Sequence, residues 1–380
     1  MAQGKRVMKE KVKSEMHQAV VEVGTGVCRN MAEARDDLVT LRRQMVALAH
    51  ENGLQLVAGA THPFADWRVQ DISPDERYLQ VVEDMQLVAR SNLIFGLHVH
   101  IGIEDRETAI HLMNQVRYFL PHLLALSANS PFWLGMNTGL QSYRCKVFDK
   151  FPRTNIPDTF TSWADYESFV NLLIRTNCID NAKKIWWDVR PHPFFPTIEV
   201  RICDLPMRVD ETLGIAALIQ ATVVMLWKLH ASNQSWRPFS RALIMENKWR
   251  AARYGIAGSL IDFGREVEVP ERQLLDEYLA LVDDAVDELG SRGDIEHVRW
   301  IMQHGTGADR QLAQFERSGG DLRSVVQFMA DETRGRAVAR YRRPTIPVPV
   351  STSPAASTVR PVSGSPSSSP PSATAMIGLM

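Results

Sequence analysis

A chain of 380 residues that is 45% hydrophobic and carries a formal net charge of −1 is sized for one large globular domain or two ordinary ones. Its 43 basic and 44 acidic side chains leave no excess positive charge for a polyanion, which argues against nucleic acid as a partner. No run reads as a bilayer span, the opening MAQGKRVMKEKVKSEM lacks an apolar signal core, and Cys28, Cys145, Cys178 and Cys203 stand singly, so the expectation is a cytoplasmic protein with reduced thiols and no membrane partner.

Along the chain, period-two alternation and β-branched content predict strands at 18–25, 54–60, 93–103, 184–189 and 197–203. Helical periodicity predicts helices at 31–52, 78–91, 106–127, 162–176 and 210–232, then at 270–290, 295–304, 309–317 and 321–333. Asp105, or its neighbour Glu104, is placed to cap the helix after the histidine strand, and Gly53 and Gly290 fall where helices end. No linker divides 1–341, which reads as one domain. From 342 to 380 the chain is dense in Pro, Ser, Thr and Ala, a composition that cannot offset its ordering entropy by burial and reads as a disordered tail. The polar alternation favours an antiparallel sheet with one dry face and one solvated face, and the apolar helix at 210–232 suits either the core or a homo-oligomer interface.

Two strands carry the chemistry. In His98-Val99-His100-Ile101-Gly102 the two imidazoles share a face, as do Glu199 and Arg201 in Ile198-Glu199-Val200-Arg201-Ile202. Charge in such apolar surroundings costs stability unless it is paired or used. Glu22, in a strand-like run ending at Gly24, can join the same face. Carboxylates with an imidazole suit Mg²⁺ or Mn²⁺, because hard cations prefer oxygen and the thiolates of structural zinc are absent. Lys248, Arg250 and Arg253 cluster near a helix end, where they read either as phosphate contacts or as a solvated basic face. Arg144 and Lys146 sit in an aromatic and Pro-rich stretch, read as a substrate loop or lid or as a packed irregular loop. Neither a Walker A pattern nor a GxGxxG opens a helix, so a nucleotide site must be of another kind. An amidohydrolase-like metal hydrolase built on His98 and His100 would need a repeating β/α pattern that the sequence lacks.

The runs HVHIG, WWDVRPHPFFPTIEVRICD, ENKWRAARYG and HGTGADRQL followed by GGDL, in that order, resemble the YbdK-type carboxylate–amine ligases, the glutamate–cysteine ligase type 2 family. The resemblance spans roughly 15–333. It implies an α+β fold of glutamine-synthetase type, with a curved antiparallel sheet and helices packed on its outer face. It also implies ATP-dependent joining of glutamate to cysteine or another amine through an acyl phosphate, with Mg²⁺ or Mn²⁺ neutralising the phosphates. On this resemblance Glu22 and Glu199 are metal ligands, and His98 or His100 is another ligand or a phosphate contact. Arg201 faces the transferring phosphoryl group or the substrate carboxylate, acting with Glu199 as the catalytic pair. Arg250, Arg253 and Lys248, and less directly Arg144 and Lys146, are nucleotide or substrate contacts. Members of the family open with a GxEEE strand that MAQGKRVMKEKVKSEMHQ does not supply. The expectation is therefore weak ligase activity or, as the alternative, an impaired relative that binds glutamate or nucleotide.

Overall fold

The computed structural model describes residues 11–335 and the backbone of a strand at Ala375–Leu379. The strands of the central sheet are β1 (Val12–Ser14), β2 (Val21–Gly24), β3 (Leu97–Gly102), β4 (Val189–Pro191), β5 (Thr197–Val200) and β6 (Ala375–Leu379). They run in the order β1-β2-β6-β3-β5-β4, and every neighbouring pair is antiparallel. The architecture is α+β, with two small hairpins at 132–137 and 259–270 outside the sheet.

Period-two patterning creates a dry face. Leu97, Val99 and Ile101 of β3 and Ile198, Val200 and Ile202 along β5 and just beyond it are at most 2% exposed, in one continuous core with the helix Val209–Ala231. Each such side chain contributes roughly 1.5–3 kcal/mol on burial. By length and apolarity that helix alone would meet the requirement for a membrane span, contrary to the reading of the sequence. It is instead sheathed by protein, with Val209 and every residue from Glu211 to Leu226 buried.

Local signals set most helix ends. Asp105 accepts the backbone N–H of Thr108, Asn30 that of Glu33 and Ser162 that of Asp165, caps worth about 1 kcal/mol each. Gly53 and Gly290 follow their helices with φ of +69° and +63°, where a side chain would strain the backbone. The run HGTGADRQL is a bracket: Thr306 and Asp309 form a reciprocal capping box, while Gln311 donates to the Asn129 side chain at 2.7 Å.

Four expectations are corrected. Residues 54–60 form no strand and pass as an irregular segment, and 184–189 begins as a 3₁₀ turn, with the strand starting only at Val189. The helix expected around Lys248, Arg250 and Arg253 runs over Arg241–Tyr254, and the hairpin after it was not anticipated. Arg144 and Lys146 lie in a short helix, Arg144–Phe148, whose Arg144, Cys145, Val147 and Phe148 are buried, so this segment is packed and not a lid. The tail expected from 342 onward falls largely outside the described residues, but at 375–379 the chain is a strand in the middle of the sheet.

Candidate active site

Register brings the polar side chains together. Glu199 lies opposite His100 across one ladder and opposite Arg190 across the other, and in an antiparallel pair facing residues share a side. His98, two residues from His100, and Arg201, two from Glu199, join them. Glu199 is the hub: its Oε2 accepts from Arg190 Nε at 2.7 Å, and its Oε1 accepts from Arg201 Nη1. The same Oε1 lies 3.6 Å from His98 Nδ1 and 3.7 Å from His100 Nε2. His100 Nδ1 is held by the Thr197 hydroxyl at 3.1 Å.

The solvated face expected here is buried: His98, Glu199, Arg190 and Arg201 are each no more than 6% exposed. Burial would raise the Glu199 carboxyl, but Arg201 and Arg190 outweigh it and hold the group well below the ordinary carboxylate range. Burial, with Arg201 adding to it, pushes the His98 imidazole well below its ordinary value, and burial likewise lowers His100. At neutral pH both rings are therefore uncharged, and two guanidinium groups against one carboxylate leave the cluster with one net positive charge. Among the described residues, His98 Nε2 and Arg201 Nε are buried and have no hydrogen-bond partner. Such orphaned polar atoms suit a face that receives a polar, anionic ligand.

Lys13 and Glu22, paired across β1 and β2, extend the same side of the sheet. Glu22 does not converge with the histidines. Strand β6 separates β2 from β3, so at about 4.8 Å per strand Glu22 sits on the order of 10 Å from the His98 strand and still farther from Glu199. Glu199, moreover, has both oxygens committed to arginines. Among the described residues no group of three or more His, Cys, Asp or Glu side chains could hold a metal ion, and Glu22, His98, His100 and Glu199 do not form one coordination shell. The Mg²⁺ or Mn²⁺ site drawn from those four residues is thus corrected by strand spacing and by the arginine pairs.

The expected nucleotide contacts also separate. Lys248 is 1% exposed and donates to Asp188 at 2.7 Å, Asn155 at 2.7 Å and Asp149 at 3.1 Å, so it is an internal brace. Burial disfavours its charge, yet Asp188 and Asp149 outweigh that and raise its pKa. The brace reaches the site because the Asp188 carbonyl accepts the Arg201 backbone N–H. Arg144 is buried beside the site, donating to the carbonyls of Ile202 at 3.1 Å and Arg201 at 3.2 Å. Gly96 lets it lie there, since a Cβ at that position would strike the guanidinium. Lys146 pairs with Asp149 at the surface. Arg250 pairs with Glu246 and Glu268 in a separate cleft of about 400 Å³, and Arg253 stacks on Tyr254.

Arg190 is the member of this cluster that the sequence reading passed over. Its signal was present in Val189-Arg190-Pro191, whose alternation faces Glu199 once the PHPFFP segment turns the chain back. His192 was also missed; it stacks on Phe195 beside His100, and burial lowers it to about 4.

Comparison with known proteins places this geometry in a family. The glutamate–cysteine ligase family 2 profile matches residues 1–328. Proteins carrying the name glutamate–cysteine ligase 2 are 65% identical over 330 residues in Solibacter usitatus, covering 87% of this chain and 86% of the relative. The corresponding protein of Herpetosiphon aurantiacus is 54% identical over 331 residues, with 87% and 86% covered. Among solved structures, glutamate–cysteine ligase from Francisella tularensis in complex with AMP superposes with a TM-score of 0.64 at 11% identity, covering 87% of this chain and 82% of that one. The bifunctional glutathione synthetase of Pasteurella multocida gives 0.64 at 14% identity over 87% of this chain and 49% of that one, and both likenesses concern the fold alone. The chain belongs to glutamate–cysteine ligase family 2.

Proposed function

We propose that the protein is an ATP-dependent carboxylate–amine ligase that joins the γ-carboxylate of glutamate to the amine of cysteine through an acyl phosphate. The observation that carries this reading is the buried, net-positive cluster of Arg190, Arg201, His98 and His100 around Glu199, with donor atoms on Arg201 and His98 left unpaired among the described residues. A carboxylate becoming an acyl phosphate gathers negative charge, and pre-oriented guanidinium groups in a dry site stabilise it without reorganising. In this reading Arg201 meets the substrate oxygens. Glu199 holds Arg201 and Arg190 in place, and neutral His98 offers Nε2 as a hydrogen-bond partner. A divalent cation enters the proposal only as a companion of the nucleotide's own phosphates, since Mg²⁺ takes few protein carboxylates in such settings. Cytoplasmic location and action on free small molecules complete it.

The test is ADP release by the full chain given ATP, glutamate and cysteine. Turnover requiring all three supports the proposal; no turnover with any carboxylate and amine pair defeats it. A second reading rests on one specific observation: β6, between Glu22 and the histidines, has the sequence Ala-Met-Ile-Gly-Leu and brings no carboxylate to the centre of the sheet. In that case the protein binds glutamate or nucleotide without turning it over, and calorimetry gives saturable binding with no ADP formed.

A further inference from the structure

Away from the polar face, a cavity of about 570 Å³ opens among the helices, a volume typical of small-molecule sites. Tyr118, Trp236, Phe239 and Tyr278 line it with Leu281, and the charged Arg237, Asp262, Arg265 and Glu277 line it as well. The Tyr118 ring centroid lies 5.4 Å from Trp236 and 5.6 Å from Phe239, so the three rings pack against one another and form one continuous aromatic wall. The cavity shares no residue with the ligase cluster. Its Tyr278 hydroxyl meets Thr222 at 2.5 Å, and Thr222 belongs to the helix Val209–Ala231 that shares the core of the sheet's dry face.

His122 also lines the cavity. Although only 4% exposed, it is paired through Nδ1 with both oxygens of Glu271, at 3.0 and 3.1 Å, and Glu271 is completely buried. The carboxylate fixes a proton on Nδ1, and Nε2 is the ring nitrogen left without a hydrogen-bond partner among the described residues. Tyr118 and Tyr278 hold the ring, with centroids 5.9 and 5.8 Å away. An imidazole oriented by a buried carboxylate, with its second nitrogen left for a guest beside an aromatic wall, is more than packing requires.

We propose that this cavity is a second binding site, for a small planar aromatic molecule that packs against the wall of Tyr118, Trp236 and Phe239 and donates one hydrogen bond to His122 Nε2. The test uses indole, which has the donor, and 1-methylindole, which lacks it, each titrated calorimetrically into the full chain. Indole should bind saturably at one site, and 1-methylindole about ten-fold more weakly, the worth of one hydrogen bond. Leu281→Trp, a change at a partly exposed rim position, should weaken indole at least ten-fold while leaving the melting temperature and ADP release unaltered. A crystal soaked in 5-bromoindole should place the anomalous bromine signal inside the cavity. The proposal is overturned if indole shows no saturable heat across the millimolar range or if the methylated probe binds equally well. It is equally overturned if Leu281→Trp has no effect, or if sedimentation finds the cavity closed by a second copy of the chain.

Discussion

Replacing Glu199 by Gln keeps the shape of the side chain and removes its charge. Arg190 and Arg201 would then face each other across a neutral amide whose nitrogen accepts nothing, and both guanidinium groups would lose the anion they share in a region no more than 6% exposed. Breaking one side of a buried ion pair costs about 3–5 kcal/mol, because the charge left behind stays desolvated. For a chain of this size, at about 2 °C per kcal/mol, the melting temperature should fall by about 6–10 °C, measured by scanning calorimetry at neutral pH. Glu22→Gln is the control: its carboxylate is only half-buried at the far side of β6, and the shift should stay within about 1 kcal/mol. A Glu199→Gln protein melting within about 1 °C of the parent would show that Glu199 does not balance the two arginines, and the electrostatic account of the site would fail.

Acid should destabilise the fold over the interval in which histidines ordinarily titrate. His98 and His100 are held below their ordinary value of 6.5, so as pH falls through 6.5 the unfolded chain takes up protons that the folded one refuses. Melting temperature should therefore drop steadily from pH 7 downward, with His192 contributing until about 4; a rise over that interval would contradict the buried neutral imidazoles. Gly96→Ala should push the Arg144 guanidinium off the carbonyls of Arg201 and Ile202, costing about 1–3 kcal/mol by thermal melting, whereas an unchanged stability would mean that Arg144 is free to move. Removing residues 375–380 should strip β3 of a partner strand along 97–101, at about 1 kcal/mol per ladder bond, and amide exchange there should accelerate; unchanged protection would mean that β6 does not hold the sheet.

The site was legible where one period decided it. That His98 and His100 share a face, and Glu199 and Arg201 another pair of positions on it, follows from the pleat alone, and the register puts those pairs in contact. What the sequence hid was pairing order. Glu22 carries a plausible ligand type, but its distance from Glu199 depends on a strand more than 350 residues further along the chain that inserts between β2 and β3. Lys248 reads as a phosphate ligand beside Arg250 and Arg253, yet helical geometry turns it inward to Asp149 and Asp188 while its neighbours face out. Charge type was readable; charge partner was not. Arg190 escaped for the same reason, since only a hairpin register makes a lone arginine the counter-ion of a glutamate nine positions later.

Glutamate labelled with ¹⁸O in its γ-carboxylate tests the proposed chemistry most directly. If the carboxylate oxygen attacks the γ-phosphorus of ATP and the amine then displaces the phosphate, the inorganic phosphate released with ADP must carry one ¹⁸O, read by mass spectrometry. The account predicts that label in the wild-type protein. Unlabelled phosphate, or release of AMP and pyrophosphate in place of ADP, would contradict an acyl phosphate on this face.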